Sequence, residues 1–141
     1  MQNYEQIRAR NALAAATDKK NYVFTGGGDG QSVAKEVPEQ IRENGLLGAL
    51  AFACETKKDE KTKRETQKNP GHYAVFRAII AHLPDVRADF GMTMDTPAEL
   101  LKSLAGPDVS ADVLRAMTTE SLAYLNYLRR FAHGDKEAEN G

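Results

Sequence analysis

The 141-residue sequence has no tryptophan, a single cysteine, 5 prolines and only 7% aromatic residues. One thiol cannot close a disulfide within the chain, so the fold must rest on packing. A chain of this length can bury about two-thirds of its unfolded surface, enough for one domain without a covalent or metal staple. Cys54 ends the apolar run Leu46-Leu47-Gly48-Ala49-Leu50-Ala51-Phe52-Ala53-Cys54, where a buried free thiol is ordinary and fits a reducing compartment. At nine residues, this most apolar stretch falls far short of the ~20 needed to span a bilayer. The opening Met1-Gln2-Asn3-Tyr4-Glu5-Gln6 has neither a basic nor an apolar signal region, so the expected location is the cytoplasm, with no membrane partner.

An excess of one charge is also missing. There are 19 Lys+Arg against 20 Asp+Glu, although residues 1–77 carry +3 and residues 78–141 carry −4. A protein that grips phosphates alone usually has a cationic surplus, so any nucleic-acid contact is expected to be local or shared with neighbours.

Ligand patterns are equally scarce. His72, His82 and His133 stand far apart, without HxxxH, HExxH or paired cysteines, so no metal is expected. His82 follows Ile79 by three positions and reads as a histidine at the core edge. Gly26-Gly27-Gly28-Asp29-Gly30 matches neither GxGxxG nor the phosphate loop GxxxxGK[ST], and reads as a flexible connection. No basic neighbour activates Cys54. Neither a cofactor nor a catalytic centre is expected, and the chain reads as a non-enzyme.

What the sequence does contain is helical signal. Residues 3–17 are rich in alanine, leucine, arginine and glutamate and predict a first helix. Tyr22-Val23-Phe24-Thr25 is the one strand-like fragment. Ser32 is a candidate N-cap for a second helix that Pro38 should kink and Asn44-Gly45 should end, with a third from Leu46 to about Glu55. Residues 57–68 hold six basic and three acidic residues with no apolar side chain; at net +3 the segment has two readings, an RNA contact or a solvated loop, and the loop is the one favoured. Tyr73, Phe76, Ile79, Ile80 and Leu83 make a helical stripe that Pro84 should end. Thr96-Pro97-Ala98-Glu99 is a capping box for a short helix through Leu104. Ser110 should cap a final helix marked by Leu114, Met117, Tyr124, Leu125, Leu128 and Phe131. The expected fold is all-α. It is a single-domain bundle of five to six helices over residues 1–141, with flexible segments near 26–31 and 57–68 and a polar tail at 134–141.

Basic residues are the remaining candidates for function. Arg8, Arg10, Lys19, Lys20, Lys35 and Arg42 occupy the first helical segments, and Arg129-Arg130 closes the last. Solvated helix faces and macrodipole-compensating cations are one reading. A shallow strip touching RNA or DNA phosphates without reading sequence is the other.

Two segments resemble a known family. Pro38-Glu39-Gln40-Ile41-Arg42-Glu43-Asn44-Gly45-Leu46, then Ala49-Leu50-Ala51-Phe52, is similar to its Pro-x-x-Ile-x-x-Asn-Gly-Leu and Leu-Ala-Phe pattern. Thr118 to Ala132 resembles its closing helix, Thr-x-Glu-Ala-Leu-x-Tyr-Leu-x-Trp-Leu-Lys-Arg-Phe-Ala, with Tyr127 where Trp is usual. The family is the small subunit of the type III-B CRISPR RNA-targeting complex, the Cmr complex. The resemblance implies a non-catalytic role in antiviral defence. Copies of the subunit would form a short filament beside the backbone subunits, near the large polymerase-like subunit, lining the groove that holds guide RNA and target RNA. Stacked copies would add phosphate contacts that one weakly charged copy lacks. Arg129 and Arg130 fall on the family's Lys-Arg position, and Arg42 lies within the other motif. Together with Lys35, Lys19 and Lys20, they are the candidate RNA-binding residues. The alternatives are a helical DNA-binding or adaptor module unrelated to CRISPR and, last, a small enzyme.

Overall fold

A computed structural model describes residues 3–25, 33–90 and 95–132. These form five α-helices: α1 (Tyr4–Thr17), α2 (Val37–Ala53), α3 (Pro70–Val86), α4 (Pro97–Leu104) and α5 (Ala111–Phe131). Short 3-10 turns at Val33–Lys35 and Ala88–Phe90 lead into α2 and follow α3. Two three-residue strands, β1 (Thr56–Lys58) and β2 (Glu65–Gln67), complete the described residues. The expected all-α domain is therefore predominantly α-helical, with one small hairpin.

The hydrophobic pattern explains why α3 is central. From Pro70 to Leu83 its one formally charged side chain is Arg77, and residues on nearly every face are buried, including Val75, Phe76, Ile79 and Leu83. A helix apolar almost all round needs neighbours all round. Helices α1, α2, α4 and α5 and both 3-10 turns pack against it. Tyr124, Met117, Leu125 and Leu128 of α5, Leu50 of α2, Leu100 of α4 and Phe90 fill the rest of the core. No described helix is long and apolar enough to cross a membrane.

Capping side chains set three helix starts. Asn3 makes a reciprocal capping box with Gln6 on α1. Thr96 Oγ1 accepts from the Glu99 amide at 3.2 Å, and Ser110 Oγ from the Val113 amide at 3.1 Å, as the sequence predicts.

The break expected at Asn44-Gly45 is present: α2 is two helical runs that meet at a kink at Gly45, whose φ of 80° and ψ of 165° suit only glycine. Several other expectations need correction. Pro38 does not divide a helix; it sits in the first turn of α2, where no amide bond is lost. Pro84 does not end α3 either. So near the C-terminus it removes a single hydrogen bond, and the last turn still closes through the Arg87 amide on the Leu83 carbonyl at 3.2 Å. Beyond a bridge at Thr25, residues 22–25 form no strand; Phe24 is buried and its carbonyl accepts from the Val33 amide at 2.8 Å.

The strands appear instead in the polar segment read as a loop. Thr56 pairs with Gln67, Lys57 with Thr66 and Lys58 with Glu65, antiparallel, and every strand residue is exposed. The candidate cap Ser32, the glycine run and the tail at 134–141 lie outside the described residues.

Candidate nucleic-acid interface

Three of the six candidate residues meet. Lys35, in the 3-10 turn before α2, and Arg42, in the second turn of α2, face one crevice with Arg129 from the last turns of α5. Pro38, Glu39, Leu122 and Asn126 complete its walls. The helical repeat explains the convergence: Lys35, Pro38 and Arg42 recur at three and four residues, as do Leu122, Asn126 and Arg129. Lys35, Arg42 and Arg129 are all exposed.

The other three candidates lie apart. Arg130 is exposed about 100° around α5 from Arg129 and does not line the crevice. Lys19 borders a separate hollow with Tyr22, Phe24 and Ala132, and Lys20 is exposed beyond the end of α1. Arg8, counted among the basic residues by sequence, is not available to a ligand. Its Nε and Nη2 donate to Glu120 Oε2 and Oε1 at 2.8 and 2.7 Å, a bidentate pair.

That pair belongs to a polar cluster the sequence reading missed. His82 Nε2 lies 2.9 Å from Glu120 Oε2, and its Nδ1 2.9 Å from Asn11 Nδ2. The same Asn11 amide donates to Asp85 Oδ2 at 3.0 Å. A carboxylate only accepts, so the Asn11 nitrogen is the donor to His82 Nδ1, and Nε2 carries the proton given to Glu120. The His82 ring also stacks on Tyr124, with centroids 4.4 Å apart. Burial alone would raise the Glu120 carboxyl, but the hydrogen bonds from Arg8 and His82 outweigh it and bring its pKa down to about 2. The Tyr124 hydroxyl, buried, is pushed well above its usual range. The His82 side chain has no exposed surface, and these groups join α1, α3 and α5 to each other.

A legible signal did point there. Glu120 falls on the buried stripe of α5, three residues after Met117 and four before Tyr124. A carboxylate at such a position needs a buried cation or donor.

A second buried histidine behaves differently. His72 packs edge-on against Phe52 with centroids 5.0 Å apart, and its Nε2 lies 3.3 Å from Glu36 Oε2 without hydrogen-bonding geometry. Burial lowers its pKa, and the nearby carboxylate offsets this only in part. Cys54 is half-buried, with its thiol pushed up by desolvation, away from nucleophilic activation. Among the described residues, no three His, Cys, Asp or Glu side chains gather as metal ligands would.

No curated protein and no solved structure matches the chain. The family model described as CRISPR-associated protein (Cas_Cmr5) matches residues 4–135, nearly the whole length. The match takes in both motifs, the crevice between α2 and α5 and the buried cluster. The chain belongs to the Cas_Cmr5 family, the small subunits of the type III-B Cmr system.

Proposed function

We propose that this chain is a non-catalytic Cmr subunit that touches RNA through the crevice of Lys35, Arg42 and Arg129. Copies stack into a short filament beside the backbone subunits and near the large polymerase-like subunit, along the groove that holds guide and target RNA. The observation that carries the RNA contact is the convergence of three basic side chains, far apart in sequence, on one crevice. Their accessible heads suit phosphate oxygens, which fix position without reading sequence. Asn126 adds a neutral donor, and Glu39 limits the net charge. One such crevice is too weakly charged to hold RNA alone; repeated along a filament, it gains by multivalency. The Arg8, Glu120 and His82 side chains satisfy one another, which favours a structural role for them and supports a non-catalytic reading.

The test is charge reversal in the assembled complex. Arg42→Glu with Arg129→Glu should weaken retention of target RNA while assembly and helicity persist. Arg130→Glu, which lies off the crevice, should have a smaller effect. Equal RNA retention by wild type and the Arg42/Arg129 variant, in intact complexes, would sink the reading.

A further inference from the structure

We propose that the β1–β2 hairpin is a second, independent seat for a nucleic-acid phosphate backbone. Residues 57–68 carry six basic and three acidic side chains, in a chain whose net charge is −1. The hairpin is therefore a cationic arm on an otherwise acidic molecule.

Of its three acids, Asp59 is engaged in the turn, while Glu60 and Glu65 are exposed. Asp59 accepts from the Lys61 and Thr62 amides at 2.8 and 3.3 Å and so shapes the turn. Glu65 stands opposite Lys58 in the register. Lys57, Lys61, Lys63 and Arg64 are exposed and have no ion-pair partner among the described residues.

Energetics set the arm apart from the rest of the fold. Fixing a residue's backbone costs about 1–2 kcal/mol, and a lone two-stranded hairpin is marginal in water. Here no strand residue buries its side chain. The structure comes from the turn bonds and from closure at its base, where the Lys68 amide donates to the Glu55 carbonyl at 2.9 Å and Asn69 Nδ2 to the Phe52 carbonyl at 2.9 Å. The hairpin thus adds nothing to the core while presenting cations on a defined frame.

Its composition selects the partner. Protein interfaces are built on aromatic and apolar anchors and are depleted in lysine. Between Lys57 and Lys68 there is no apolar side chain. Phosphates require only charge and hydrogen-bond donors, which the lysines, Arg64 and the threonines supply. With no aromatic side chain to stack on a base, the contact is blind to sequence.

The experiment uses the full chain and a short labelled single-stranded RNA, titrated by fluorescence anisotropy across a range of salt. The variant Lys57→Gln, Lys61→Gln, Arg64→Gln spares Lys63, whose φ is 62°. Its affinity should fall about tenfold or more at low salt, and its log–log salt slope should become shallower by about 2, at roughly 0.7 for each phosphate no longer neutralised. A matching DNA strand should bind within a few-fold of the RNA. Circular dichroism should be unchanged, because the hairpin buries nothing.

Wild-type affinity and slope in the triple variant overturn the proposal. So does a wild type that fails to bind RNA at protein concentrations up to about 1 mM at low salt. Displacement of RNA by poly-glutamate at equal charge also overturns it, in favour of an acidic protein partner. Arg42→Gln with Arg129→Gln is titrated alongside. A drop in affinity confined to that variant defeats the hairpin and leaves the crevice standing; a drop confined to the hairpin variant does the reverse.

Discussion

Arg8 and Glu120, 112 residues apart in the chain, meet as a bidentate ion pair whose carboxylate also receives the Nε2–H of buried His82. Breaking a buried pair by removing one partner leaves a charge without compensation, at a cost of about 3–5 kcal/mol. Glu120→Ala should lower unfolding stability by about 2–3 kcal/mol, below that range because the Arg8 side chain is 24% exposed and water can solvate it. Arg8→Met with Glu120→Leu, which removes both charges, should cost less than the single change. Urea unfolding of the three proteins decides it; a double variant weaker than Glu120→Ala would contradict the pairing account.

The same carboxylate sets an acid limit. Its folded pKa of about 2 lies below the ordinary 4.5, so the folded state favours the ionised form. The resulting stability is fully present above pH 4.5 and is lost as pH falls toward 2. It amounts to about 3 kcal/mol at most, from 1.36 kcal/mol per unit. Glu120→Gln should flatten this part of the stability profile, measured by thermal unfolding from neutral pH downward.

His72 acts in a different window. Burial lowers its pKa from 6.5, so the folded state favours neutral imidazole. Below pH 6.5 the unfolded chain takes up the proton more readily, and stability declines as pH falls through the folded value. His72→Phe should remove the dependence that sets in below pH 6.5 while leaving the acid limb set by Glu120. Persistence of the upper limb in His72→Phe would assign it to another group.

Gly71, in the first turn of α3, lies beneath the carbonyl of Thr25. A Cβ there would sit 2.1 Å from that oxygen, a backbone atom that cannot rotate away. Gly71→Ala should destabilise the fold by about 2 kcal/mol or more, within the usual range of overpacking. Gly48→Ala should cost far less, because its nearest neighbour, the Asn44 Cβ, lies at 3.0 Å on an exposed surface. Equal unfolding midpoints for the two variants would rule out the steric account of Gly71.

Local chemistry made much of the fold legible. Thr96 and Ser110 announce their helices because a short side-chain oxygen satisfies an orphan amide wherever it stands. The stripe from Tyr73 to Leu83 marks α3 because burial imposes the helical period. The hairpin at 56–67 escaped, since its residues bury nothing and polar alternation carries no contrast. Pro84 misled because the cost of proline depends on distance from the helix end, which sequence does not give. At the candidate site, Lys35, Arg42 and Arg129 were visible as cations, but only the packing of α2 against α5 separates them from Lys19, Lys20 and Arg130. Arg8 looked like one more surface cation because its partner lies 112 residues away.

That separation also bears on how the chain matures. Helix α1 packs more extensively on α5 than any other two elements pack on each other. On a ribosome α1 must therefore wait for α5 before the Arg8 guanidinium finds its carboxylate and the inner face of the helix is covered. Until α5 emerges, α3 lacks part of its wall, and the nascent chain has the contacts of α1, α2 and α4 with α3 and of α2 with α4 to hold it. Contacts of such long sequence span are the slowest to form, so completion of this domain waits on the synthesis of α5, and a chain truncated within α5 would be left exposed to proteolysis.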